Sequence, residues 1–143
     1  MMKKLVKSIL KPINSSSFMQ DIYWKYIPEE TTIIFDFFDK LMIDIGIEVD
    51  VGTGYGSTFE PFANKGWTIY GFEPDPDNRK VVMGIYKGKS NVSIDCRAIS
   101  NRVEKDLPFF QSDISTGISG LSNFDSSHMQ NTTVDTTTLE IFC

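Results

Sequence analysis

Asp50-Val51-Gly52-Thr53-Gly54-Tyr55-Gly56 is where residue type and spacing most plainly allow chemistry. Glycines at alternate positions let the backbone turn sharply and come close to a ligand, and a helix starting just after them would offer free N–H groups. The acid two residues before the first glycine separates this GxGxG from the dinucleotide GxGxxG, whose N–H groups cradle a pyrophosphate. The Asp50 carboxylate would repel a pyrophosphate and suits a cation. Glu73, 23 positions after Asp50 and followed by Pro74, is the second signal. At the end of a strand, an acid there accepts hydrogen bonds from both hydroxyls of a ribose, and the proline stiffens the turn that holds it. The competing reading is a tight strand-to-helix turn with a solvated acid on the next strand.

The remaining reactive side chains carry weaker signals. His128 is the single histidine; beside a polar loop it is a candidate general base, but with nothing to orient it the plainer reading is a solvated bystander. Cys96 and Cys143 lie 47 positions apart without CxxC spacing, so they read as structural thiols, and neither a disulfide framework nor a metal centre is expected.

The elements that must position these residues follow from periodicity. Ile34, Phe38, Leu41 and Ile45 recur at spacings of 4, 3 and 4, one face of a helix that Thr31 or Thr32 could cap. A strand over 46–51 then runs into the glycines. Ser57 to Lys65 can form a short helix ending at Gly66, although Pro61 favours a start nearer Phe59. Thr68 to Phe72 reads as the second strand. Asp75 can cap a helix with Pro76 at its first position, running to about Tyr86 with Val81, Val82 and Ile85 as its apolar face. Asn91 to Cys96 is the third strand. Two consecutive βαβ units predict an α/β fold, a parallel sheet in the order 3-2-1 with helices on both faces. Beyond Ala98, Leu107 to Gln111 and Val134 to Leu139 look like strands flanking a loop rich in Ser, Gly and Asp, a β-hairpin-like extension. The organisation is therefore an amino-terminal helical segment, 1–44, followed by one α/β domain, 45–143.

Composition narrows the function classes. With 41% hydrophobic and 23% charged residues the chain is an ordinary globular one, and no stretch approaches the roughly 20 apolar residues of a membrane span. Formal net charge is −5, yet the first 20 residues hold Lys3, Lys4, Lys7 and Lys11 and no acid, so the rest is strongly acidic. An acidic body excludes nucleic acid as the expected partner and favours a small molecule. Leu5, Val6, Ile9 and Leu10 fall on one helical face with the lysines on the other, a short basic amphipathic helix that could serve as a lid or touch a membrane surface. Around Tyr23, Trp24 and Tyr26 a short aromatic element is expected. The start lacks a small-residue cleavage site, which argues for a cytoplasmic protein.

The string DVGTGYGSTFEPFANKGWTIYGFEPDP resembles the opening of class I S-adenosylmethionine-dependent methyltransferases, and the string as a whole is similar to the FkbM family in particular. NVSIDCRAIS, STGISGLSNFD and VDTTTLEIF are similar to that family's later pieces, so the likeness spans about residues 45–142. The resemblance implies a Rossmann-like fold with S-adenosylmethionine as cofactor. Asp50, Gly52, Thr53 and Gly54 would face its methionine part, Glu73 the ribose and Ala98 the adenine edge, with Asp95 and Arg97 bordering that edge in an orientation left open. It implies transfer of a methyl group to a hydroxyl of a sugar or other small polyhydroxylated acceptor. It also implies a further half of the sheet, with a fourth strand. The expectation is accordingly a partial domain, completed by more chain or by a partner chain and poorly active alone. Two rival readings are a cofactor-binding domain without activity and a nucleotide-sugar or NAD module, the latter disfavoured by GxGxG and Asp50.

Overall fold

A computed structural model describes residues 30–112, 114 and 116–142; the expected basic helix around Leu5 to Leu10, the aromatic element around Trp24, and Cys143 lie outside them. Strands β1 (Ile47–Val51), β2 (Thr68–Phe72) and β3 (Val92–Asp95) form a parallel sheet in the order β1-β2-β3. Val51 stands beside Phe72, and Phe72 beside Asp95, so the three strands finish at one level. This is a three-stranded α/β arrangement compatible with a partial Rossmann-like fold.

Helix α1 (Glu30–Lys40) precedes the sheet, α2 (Glu60–Lys65) joins β1 to β2, and α3 (Pro76–Ile85) joins β2 to β3. The two crossovers step the same way across the sheet, and crossovers of one hand then deliver their helices to one face. The expected helix on the other face is therefore supplied not by a crossover but by a short helix later in the chain. Phe59, Phe62, Ile69, Val82 and Tyr86 form the core of the covered face, with Val92 and Ile94 of β3 against it. On the opposite face Tyr70 and Phe72 meet, among the described residues, the short helix α4 (Leu139–Phe142), whose Phe142 ring lies 5.1 and 4.9 Å from theirs.

The helix boundaries follow from local chemistry. Phe59 is the N-cap of α2 and Pro61 falls in its first turn, where a missing N–H costs nothing, while Gly66 closes it in the left-handed conformation. The Asp75 carboxylate accepts from the N–H groups of Asp77 and Asn78 and so caps α3 as expected. The buried face of α3 differs from the expected one: Asn78 and Val82 point inward, continued by Tyr86, whereas Val81 and Ile85 are exposed. A strict spacing of four tilts that helix toward Tyr86, whose hydroxyl donates to the Gly56 carbonyl at 3.0 Å. On α1 Phe38 of the expected stripe packs inward and is joined by Phe35; the two meet Trp67 and Phe62 edge to face at 5.3 and 5.2 Å, while Ile34, Leu41 and Ile45 are exposed. Aromatic pairs of this kind add about 0.5–1.5 kcal/mol beyond area burial and outbid the aliphatic stripe. Helix α1 thus shares the core of the following domain. Thr31 and Thr32 lie inside its first turn rather than at its cap.

After β3 come β4 (Ala98–Ile99), β5 (Leu107–Ser112), a single 3₁₀ turn (Thr116–Ile118), β6 (His128–Val134) and β7 (Thr136–Thr137). Strands β5 and β6 pair antiparallel, the expected hairpin, with an irregularity at Phe109/Phe110; β4 and β7 pair in parallel. The strand expected over 134–139 is divided between the end of β6, β7 and the start of α4. Thr136 explains the break: its buried hydroxyl donates to the Arg102 carbonyl at 2.8 Å and accepts from the Glu104 N–H at 2.9 Å, pulling the chain away from β5. Among the described residues no helix is long and apolar enough to cross a membrane.

Candidate functional site

The glycine turn wraps over the end of the neighbouring strand. Gly52 and Thr53 both donate their N–H to the Phe72 carbonyl, at 2.9 and 3.1 Å, so the chain leaving β1 arrives where Glu73 begins. Gly54 (φ +57°) and Gly56 (φ +85°) adopt left-handed backbone, but they face different surroundings. A Cβ on Gly54, like one on Gly52, would meet open space, whereas one on Gly56 would lie 2.7 Å from the rings of Phe59 and Tyr86. The first two glycines leave the space above the turn open; the third fits the turn to the core.

Glu73 is the centre of the site. Only 4% exposed, it accepts from the Gly54 N–H at 2.5 Å through Oε2 and from the Asp75 N–H at 2.9 Å through Oε1. Burial pushes its pKa above the ordinary glutamate range, opposed by those two hydrogen bonds. The Arg79 guanidinium donates to the carbonyls of Glu73 and Pro74 at 2.9 and 3.0 Å, fixing the turn that presents the acid.

Asp50 and Thr53 stand behind this turn. The Thr58 hydroxyl donates to Asp50 Oδ2 at 2.8 Å, and burial raises the pKa of Asp50. Thr53, buried, donates to the Asp50 carbonyl at 3.3 Å and packs over Gly71, where a Cβ would come within 2.7 Å of its hydroxyl. Both residues hold the turn's shape.

A cavity of about 150 Å³ opens beside the turn, with Gly52, Gly54 and Glu73 on one wall and Phe109 and Ser119 of the hairpin on the other. Ser119 Oγ is buried there without a hydrogen-bond partner among the described residues. The hairpin is tied to the turn by Gln111, whose amide donates to Asp75 Oδ1 at 3.0 Å. Sequence reasoning missed this wall: alternation around Phe109 marks a strand, but the hairpin's return over the glycines is a long-range event without a local signal.

The other expected residues are placed elsewhere. Ala98 is buried in β4 against Phe109 and Val134, behind the cavity wall rather than in its lining. Asp95 and Arg97 engage each other, Nη2 to Oδ2 at 2.6 Å, and the guanidinium holds the Asp95 carboxyl below the usual range. His128 is no solvated bystander. It is 8% exposed, its Nε2 lies 2.8 Å from the Ile118 carbonyl, and the Phe124 ring meets it edge-on at 4.5 Å. Its role is to brace the 3₁₀ turn that carries the cavity wall. Cys96, read as structural, is exposed and free.

Comparison of the chain with protein-family models, with curated proteins and with solved structures finds no match.

Proposed function

We propose that this chain is an FkbM-type S-adenosylmethionine-dependent methyltransferase with a class I, Rossmann-like fold. Its acceptor is a hydroxyl of a sugar or small polyhydroxylated metabolite in the cytoplasm. The observation that carries the reading is Glu73: a buried carboxylate at the end of β2, held against the open glycine turn at the end of β1. Ligands of open α/β sheets bind at such strand ends.

The residues present fit the cofactor. An ionised carboxylate has about four acceptor sites, so Glu73, after bonding Gly54 and Asp75, keeps acceptors for two ribose hydroxyls. Gly52 and Gly54 leave open the space above the turn. Asp50 and Glu73 together favour a cation over a pyrophosphate. When bound, the cofactor supplies an electrophilic methyl group on a sulfonium; the chain's part is to orient it and to shield it from water, which is how alignment lowers such barriers. The cavity of about 150 Å³ is smaller than the roughly 300–1,000 Å³ of small-molecule sites, so the hairpin wall with Phe109 and Ser119 moves outward to admit the ligand.

A second reading, binding without turnover, is favoured by His128. The imidazole that could deprotonate an acceptor is packed between aromatic rings, its Nε2 donating to the Ile118 carbonyl and its basic Nδ1 buried from solvent.

Titration calorimetry with S-adenosylhomocysteine tests the assignment. The chain binds it, and Glu73→Ala weakens binding about tenfold to a hundredfold, the value of a hydrogen bond to a charged group. Equal affinity in the two proteins, or tighter binding of NAD, overturns it. Labelled methyl donor offered with a panel of sugars then separates turnover from binding alone.

A further inference from the structure

A second concavity lies away from the glycine turn, between α1 and β1. It measures about 280 Å³, and its lining includes Ile34, Ile47, Val49 and Trp67 around Glu48. Its walls are apolar yet open: Ile34 is 44% and Ile47 67% exposed. Within it Glu48 Oε2 is buried and has no hydrogen-bond partner among the described residues. A carboxylate oxygen so placed costs free energy unless a cation reaches it. Burial, with Asp50 beside it, raises the Glu48 pKa to about 7, another sign of missing positive charge.

We propose that the basic segment Lys3 to Lys11 docks in cis on this groove, laying Leu5, Val6, Ile9 and Leu10 against its apolar walls and bringing lysine charge to Glu48.

Three observations select this occupant. The first is attachment: Thr31, in the first turn of α1, lines the groove, so the segment that precedes Glu30 is joined to the fold at its rim. The stretch between Lys11 and Glu30 reaches on the order of 60 Å when extended, ample for a return to the groove beside it. The second is charge: the first 20 residues hold four lysines and no acid, while the rest of the chain carries ten basic and nineteen acidic residues. The third is pattern, since the apolar residues of 5–10 gather on one helical face, the shape an apolar groove receives. A second copy is the weaker occupant. Edge-to-edge pairing of two β1 strands about a two-fold axis at the strand's centre, Val49, would set Glu48 against Asp50 of the second copy, and like charges across strands repel.

Amide hydrogen exchange on the full chain, at two protein concentrations, tests the docking. The amides of 45–51 exchange at least about tenfold faster in the variant Leu5→Asp/Ile9→Asp than in the native chain, while those of β2 are unchanged. Glu48→Lys gives the same acceleration. Combining it with Lys3→Glu, Lys4→Glu, Lys7→Glu and Lys11→Glu restores the slow exchange, which a merely destabilised sheet would not do. Unaltered exchange at 45–51 in Leu5→Asp/Ile9→Asp overturns the proposal. So does protection that grows with protein concentration, which would assign the groove to a second copy, and so does failure of the charge swap to restore.

Discussion

Two acids on β1 and β2 show how much one carboxylate's surroundings decide. Glu73 is buried with two N–H donors, whereas half-buried Glu48 has a buried oxygen with no donor among the described residues. The second arrangement gives a pH signature. The folded-state pKa of Glu48, about 7, exceeds its ordinary 4.5, so between those values the native chain holds more protons than the unfolded one. Stability therefore falls as pH rises through that interval. With the amino-terminal segment disabled by Leu5→Asp/Ile9→Asp, urea unfolding at about pH 5 and about pH 8 should show that decline, and adding Glu48→Gln should remove it. In the native chain, docked lysines lower the Glu48 pKa and make the decline shallower; identical slopes in the two chains would contradict this. At this scale Asp50, Gly52, Gly54 and Glu73 were legible, because strand ends, glycine spacing and acids are written locally. His128 was not. Its burial depends on Phe110 and Phe124 and on a carbonyl ten residues away, contacts that no single position announces.

The glycine turn unites two demands within one element, and they separate by mutation. Gly56→Ala places a methyl group 2.7 Å from Phe59 and Tyr86 in left-handed backbone, so overpacking and strain combine to cost more than about 3 kcal/mol. Gly54→Ala meets no atom within 4 Å and costs only the backbone strain, about 1–2 kcal/mol. Its methyl group nevertheless projects into the open space where the proposed cofactor would lie. Thermal melts with calorimetry should find Gly56→Ala poorly stable, and Gly54→Ala folded yet at least about tenfold weaker for S-adenosylhomocysteine. The reverse ranking would mean that the open space above Gly54 belongs to no ligand. Strand and helix positions through β3 were readable from period, caps and Gly66. The segments after Ala98 were readable only as a hairpin, since the division at Thr136 rests on hydrogen bonds to Arg102 and Glu104, more than thirty residues back.

For the molecule as a whole, the order β1-β2-β3 and the common hand of the crossovers account for both crossover helices lying on one face, while the other is met by Phe142 of α4 at Tyr70 and Phe72. Along β1 that other face exposes Ile47, Val49 and Val51, and the described residues offer no strand beside them. Sequence alternation foretold that apolar set, but not which face the helices would take, because handedness acts on pairs of crossovers and not on residues. The hairpin closes the cavity side of the molecule and α1 closes the groove side, so the two concavities can be read separately by amide. The most direct measurement of the central claim is a ¹⁵N amide titration of the native chain with S-adenosylhomocysteine. The predicted result is saturable shifts confined to the Gly52 to Gly56 turn, Glu73 to Asp75 and the hairpin wall at Phe109 to Ser119, with the groove at Ile34 and Glu48 unmoved. Absent shifts, or shifts centred on the groove in place of the glycine turn, would contradict it.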